Sequence, residues 1–339
     1  MNGFEVDLLS SGDGFKHLAR DMEIPKSRFK RFVFYRELIR NIVQYDVVQL
    51  IGDAALHSRP SITAVLLRAI SKKVPVYLVA AGCDYYFWSA GRRRLNITLF
   101  DQVEKHGENS PTRVSDFLRN RIVLYYVKGV IGFNEYFEAY KGHRKCLDPI
   151  VLPFVLEESN LNSLNWADGP LIIFHGLQSH RKGFKGSYII EAAFERLNKK
   201  YPAQVKCICA GDMSYTKYKS LLAEAHIIVD QTNCISYGIN ALLGMSMGKV
   251  VCGGTQDKAY YDRWLPLTGI TEYPPIIPLK PDVDFIVEQI EKLLLDREKL
   301  IEISKNGRAF VEKYHDAKNV ALMFMERWGI HKKSLVGGE

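Results

Sequence analysis

Between positions 170 and 254 short apolar runs alternate with amphipathic segments of helical spacing. The runs are Leu171 to Phe174, Val205 to Cys209, Ile227 to Val229 and Val250 to Cys252. Strand-length apolar runs separated by helical periodicity predict βαβ units on a parallel sheet. The first half repeats the pattern more loosely. A buried strand is expected over 46–51, a helix over about 61–73, a strand over 74–80, a helix over 112–127 and a strand over 129–133. The first ten residues read as a strand entered almost at once. Beyond 254 come a proline-rich turn at Pro274-Pro275, a short strand over 276–279 and two amphipathic helices over 282–295 and 297–314. Val320, Leu322, Met323 and Met325 are expected to pack a last helix.

A chain of 339 residues exceeds one ordinary core and fits two domains. Asp148-Pro149 and Leu152-Pro153 close the first, and the polar stretch ESNLNSLNWADGP reads as a hinge. The expected domains are 1–153 and 170–315, joined by a linker over 154–169 and followed by a last segment over 316–330. With 47% hydrophobic and 25% charged residues the composition is that of a globular protein. No apolar run has a bilayer-spanning length, and the start lacks a signal-peptide pattern. The six cysteines lack metal-site spacing, and Cys207 and Cys209 alternate along one strand as small core residues. A reducing, cytoplasmic location is expected.

The net charge of +8 is unevenly spread. Residues 1–153 hold 23 Lys/Arg against 16 Asp/Glu, and the remainder 23 against 22. Part of the excess lies in the helical segment 24–42, where Lys26, Arg28, Lys30, Arg31, Arg36 and Arg40 are interleaved with Phe29, Phe32, Phe34 and Tyr35. Two readings fit: an interfacial helix docked on anionic lipid at the inner face of the plasma membrane, or a helix packed on the sheet with a solvated basic face. No nucleic-acid-binding pattern accompanies the charge. Arg92, Arg93 and Arg94 form a second cluster, read as part of a long loop that either receives an anionic group or is simply solvated.

The chemistry gathers at the ends of the second-half strands. Loops there are rich in glycine and basic residues and lead into helices, and helix N-termini at the carboxyl ends of parallel strands favour anions. Strand, His175-Gly176, the basic loop SHRKGFKG, helix, strand ending in Gly211-Asp212, HIIVDQ, Tyr237-Gly238 opening a helix that ends GMSMGK, and VVCGG follow in order. That series resembles the donor-binding domain of GT-B glycosyltransferases, specifically the retaining group called family 4. The resemblance implies an α/β fold of two Rossmann-like domains facing each other across a cleft, with the last helix crossing back to the first domain. It implies a nucleotide-sugar donor, carrying UDP or GDP, no bound metal or cofactor, and a glycan or lipid-linked acceptor in cell-surface polysaccharide synthesis.

By the same resemblance Arg181 with Lys185 or Lys182 would clamp the diphosphate, a guanidinium suiting bidentate contact and an ammonium point-charge contact. His180 adds charge to the same loop. His175, Gly176, Gly211, Tyr237, Gly238 and Asn240 would line the nucleotide sugar. Asp84 would hydrogen-bond the acceptor or cap the next helix. The chain departs from the family in four places. Ile235 and Leu243 stand where two glutamates are usual, leaving Asn240 or Asp257 as ribose acceptors. Ala81 replaces a histidine, and the segment GFEVDLL resembles the second strand of the family, so that a first βα unit is expected to be missing. The activity implied is glycosyl transfer. The alternatives are an inactive GT-B paralogue acting as a scaffold and, ranked last, a sugar-nucleotide epimerase, for which no carboxylate pair is apparent.

Overall fold

The computed structural model describes residues 5–11, 20–103, 110–156, 169–178, 181–211, 213–254 and 257–330. Most of the linker over 154–169, together with His180 and Asp212, lies outside the described residues. The chain divides into two compact units, one of residues 1–94, 109–148 and 323–339 and one of residues 95–108 and 149–322.

The first unit opens with β1 (Leu9–Ser10) and β2 (Met22–Glu23), two residues each and parallel. Then come α1 (Arg28–Asn41), β3 (Val48–Ile51), α2 (Pro60–Ile70), β4 (Val76–Ala80), α3 (Tyr85–Arg94), α4 (Val114–Tyr126), β5 (Gly129–Gly132) and α5 (Asn134–Tyr140). The strands form a parallel sheet in the order β3-β4-β5. Its central strand β4 is buried along its whole length, as an uninterrupted apolar run requires. Arg92, Arg93 and Arg94 are not in a loop. They form the last turn of α3, where cations complement the negative end of the helix dipole.

The second unit holds β6 (Leu171–Leu177), α6 (Lys182–Lys185), α7 (Ser187–Lys200), β7 (Val205–Gly211), α8 (Tyr215–Glu224), β8 (Ile227–Val229), α9 (Ile239–Ser246), β9 (Val250–Cys252), α10 (Lys258–Thr268), β10 (Ile276–Ile277), α11 (Val283–Leu294) and α12 (Arg297–Tyr314). The last helix, α13 (Ala317–Trp328), divides after Leu322, and its later residues belong to the first unit. There Phe324 meets Phe133 edge-to-face at 6.3 Å and the Trp328 carbonyl accepts from the Tyr77 hydroxyl at 3.1 Å.

Five parallel strands run in the order β10-β9-β8-β6-β7. The inward residues of β6 to β9, including Leu171, Ile173, Val205, Cys207, Ile227 and Val250, form one apolar cluster with Ile190 and Leu197 of α7 and Ile286 and Ile290 of α11. Cys207 is buried in this cluster and Cys209 packs against it half-buried, and burial pushes both thiols up to about 12, so both are protonated at neutral pH.

Candidate functional site

The order of the larger sheet places a topological switch at its centre. From β6 the chain moves to β7 on one side and then returns to pair β8 on the other. In an open parallel sheet the loops leaving the carboxyl ends of two such strands diverge and leave room for a ligand. Here they are the loop after β6, with α6 and the start of α7, and residues 230–238 after β8.

Backbone and side-chain bonds hold the two loops together. The Thr232 amide donates to the Lys185 carbonyl at 3.0 Å, and the Asn233 side-chain amide donates to the Gly183 carbonyl at 2.8 Å. Gly186 adopts a left-handed φ of 72°, and a β-carbon there would lie 2.0 Å from the Thr232 hydroxyl. Only glycine meets both demands. Lys185 Nζ donates to Asp230 Oδ1 at 3.2 Å, with Asp230 buried. Asp230 Oδ2 is buried without a hydrogen-bond partner among the described residues, and it lies 3.6 Å from where a β-carbon on Gly238 would stand.

Among the longer helices of the second unit, capping differs. Helices α8, α10, α11 and α12 begin with Ser214, Asp257, Asp282 and Asp296, each accepting a backbone N–H of the first turn. By contrast α7 and α9, which start from the two switch loops, have Gly186 and Gly238 as caps and no side-chain cap. Their first-turn N–H groups are donors without the usual side-chain acceptor, which is the arrangement that receives an anion. Arg181 precedes α6 with its guanidinium 5.1 Å from the Phe184 ring centroid, and Phe184 in turn meets Phe100 edge-to-face at 5.8 Å.

Several expected ligand groups are committed elsewhere. The His175 ring is fully buried, with Nδ1 2.7 Å from the Val229 carbonyl and Nε2 2.9 Å from Ser187 Oγ. A carbonyl can only accept, so Nδ1 carries the proton and Nε2 accepts from the serine hydroxyl. Burial lowers the pKa of this ring to about 4. His175 therefore ties β6 to β8 and to the first residue of α7, and its ring does not face a ligand. Tyr237 is likewise buried. Its hydroxyl lies 3.0 Å from His315 Nε2 while His315 Nδ1 donates to the Leu152 carbonyl at 2.7 Å, leaving Tyr237 only its backbone for the start of α9.

Lys182 turns along the flank of α7 into a two-oxygen ion pair with Glu191 at 2.9 and 3.0 Å, so its charge is cancelled away from the switch. Gly176 and Gly211 admit neighbours. A β-carbon on the first would lie 2.6 Å from the Tyr218 hydroxyl and on the second 2.4 Å from the Leu177 carbonyl. Asn240 is the second residue of α9, near enough to the Tyr218 hydroxyl to influence its ionisation. Asp257 caps α10, its Oδ1 accepting the Tyr260 amide at 3.1 Å.

Asp84 belongs to the first unit. One carboxylate oxygen accepts the Phe87 amide at 2.7 Å as a helix cap, and the other accepts the Tyr140 hydroxyl at 2.8 Å. Burial, opposed by the Phe87 hydrogen bond and reinforced by Asp53, raises its pKa to about 7. Of the two roles expected for Asp84, capping is the one its contacts fill.

No protein-family model matches the chain, and no curated protein matches it in sequence. Solved structures do match in fold. Sucrose-phosphate synthase from Thermosynechococcus elongatus aligns over 90% of this chain and 80% of its own at 15% identity, with a TM-score of 0.55. Anabaena HepE in complex with UDP and glucose aligns over 92% and 86% at 12% identity, TM-score 0.56. TarM covers 87% of this chain and 57% of its own at 13% identity, TM-score 0.51. The fold is GT-B.

Ile235 and Leu243 stand where the sequence resemblance implied two glutamates. They are 3% and 6% exposed, side chains of the unit's interior. The groups that local sequence reasoning missed are Asp230, Thr232, Asn233 and Ser187. The signal was present in HIIVDQTN, where a carboxylate and two short polar residues follow directly on a buried strand.

Proposed function

We propose that this protein is a glycosyltransferase that binds a nucleotide-sugar at the β6/β8 switch of its second unit. The observation that carries the reading is the pair of helices α7 and α9, both without side-chain caps and both starting from the loops that Lys185 and Asp230 join. A diphosphate there would accept from the first-turn N–H groups and from Arg181, with Lys185 held in place by Asp230. Such fixed donors stabilise the charge that develops on a leaving nucleoside diphosphate without reorganising during the reaction. The acceptor is a glycan or a lipid-linked sugar of polysaccharide assembly. The exposed Phe29 and Phe32 on the basic helix α1 support a peripheral contact with anionic lipid at that step.

A second reading, nucleotide binding without transfer, draws support from Ile235 and Leu243 at the positions where the family usually has glutamates. Incubating the protein with UDP- and GDP-sugars and weighing the products separates the two. Transfer or slow donor hydrolysis that disappears in Arg181→Ala supports an enzyme. Nucleotide binding with no turnover on any donor supports the second reading. Absence of binding by every donor overturns both.

A further inference from the structure

Helix α4 carries apolar residues on both sides. It buries Val123 and Leu124 together with Arg119 and Asn120, the last two 8% and 1% exposed, and turns outward Val114 (73%), Phe117 (37%), Leu118 (45%) and Tyr125 (72%). With the exposed Arg121 these positions recur at helical spacing and make one stripe. The polar side chains that α4 buries have partners. Arg119 pairs with Asp53 at 3.2 Å and Asp116 at 3.0 Å, and Asn120 donates to the Tyr140 hydroxyl at 3.4 Å. The stripe continues onto α3. Tyr85 lies 5.0 Å from the Phe117 ring and 5.6 Å from Trp88, Arg92 lies 5.7 Å from Trp88, and Arg121 lies 5.9 Å from Phe117.

Helix α1 has the same character on its exposed side. Phe29 and Phe32, 75% and 68% exposed, line up with Arg36 and Arg40 at helical spacing. The two surfaces belong to one layer. Right-handed crossovers from β3 to β4 and from β4 to β5 put α2 and α4 on the same face of the sheet, and α1 packs on α2. Helix α2 itself shows solvent Val65, 67% exposed, and Arg68.

The occupant follows from the chemistry. Protruding Phe, Leu and Val call for a dry medium, the arginines among them for negative charge, and Trp and Tyr beside Arg suit the boundary between the two. We infer that the α1–α2–α4 layer of the first unit docks on an anionic lipid bilayer, with α4 as a second apolar anchor beside α1. The inference rests on the reading of α1 as a lipid-facing helix and extends it to α4.

The test is co-sedimentation of the full chain with vesicles of phosphatidylcholine, alone or mixed with phosphatidylglycerol. Three variants are compared: Phe29→Ser with Phe32→Ser, Phe117→Ser with Tyr125→Ser, and Arg121→Glu. All substituted side chains are exposed, and unchanged thermal unfolding confirms the fold. The parent is expected to bind only the anionic vesicles. Each aromatic pair should lower the partition about tenfold or more, and Arg121→Glu at least about fivefold. If the α1 pair weakens binding and the α4 pair does not, the α1 reading stands and this inference falls. If neither pair matters, both fall. A parent that is dimeric without lipid and is made monomeric by the α4 pair assigns the face to a second copy of the chain, which also overturns the inference.

Discussion

Buried ionisable residues decide how this protein responds to pH. Asp84 has a folded pKa of about 7, so its contribution to stability is full below pH ~4 and is lost as pH rises towards 7, on the order of 4 kcal/mol in all. His175 and His315, both lowered to about 4 by burial, act in the opposite sense. Their contribution is full above the unfolded value near 6.5 and is lost as pH falls towards 4, about 3 kcal/mol each. Two histidines outweigh one carboxylate, so acidification from pH 7 to 4.5 should lower the melting temperature. Asp84→Asn should melt higher than the parent at pH 8, relative to the same comparison at pH 4.5. Melting curves at the two pH values check the sign, and a difference between variant and parent that does not change with pH refutes the assignment. Ser187→Ala leaves His175 Nε2 without its donor and should cost roughly 1–3 kcal/mol by denaturant unfolding.

At the scale of elements, two glycines at the switch give contrasting predictions. Gly186→Ala meets a left-handed backbone and the Thr232 hydroxyl, so it should cost about 2 kcal/mol or more and disturb the site with the fold. Gly238→Ala meets only ordinary contacts. It should leave the melting temperature within a few degrees while weakening nucleotide binding, because a methyl group then stands at the start of α9. Equal nucleotide affinity in parent and Gly238→Ala would argue against a ligand at that helix.

The strands β6 to β9 were legible in the sequence because each is a short, unbroken apolar run between helical periodicities. Helix α3 was not. YYFWSAGRRR has no stripe to read, and the helix is held by the Asp84 cap and by Tyr86 and Phe87 against Tyr140 and Tyr136 of α5. Of the candidate site, the position of the basic loop could be read locally. The partners of its cations could not. Lys185 meets a residue 45 positions later through the strand order, and Lys182 meets Glu191 instead of the switch. His175 and Tyr237 were recognisable as residues at strand and helix ends, but the direction of their side chains depends on Ser187 and His315.

For the molecule as a whole, the charge asymmetry and the sheet switch point to two separate tasks. The first unit carries the basic, aromatic helical layer, and the second carries the edge proposed to bind an anion. No helix among the described residues is long and apolar enough to cross a membrane. The proposed docking of the first unit on anionic lipid should weaken as salt is raised. The most direct test of the central claim is calorimetric titration of UDP and GDP into the full chain and into Arg181→Ala. The account predicts that at least one nucleoside diphosphate binds the parent and that the variant binds it about ten- to hundredfold more weakly, the worth of a charge-assisted phosphate contact. Identical affinities for parent and variant, or no binding of either nucleotide to the parent, would contradict it.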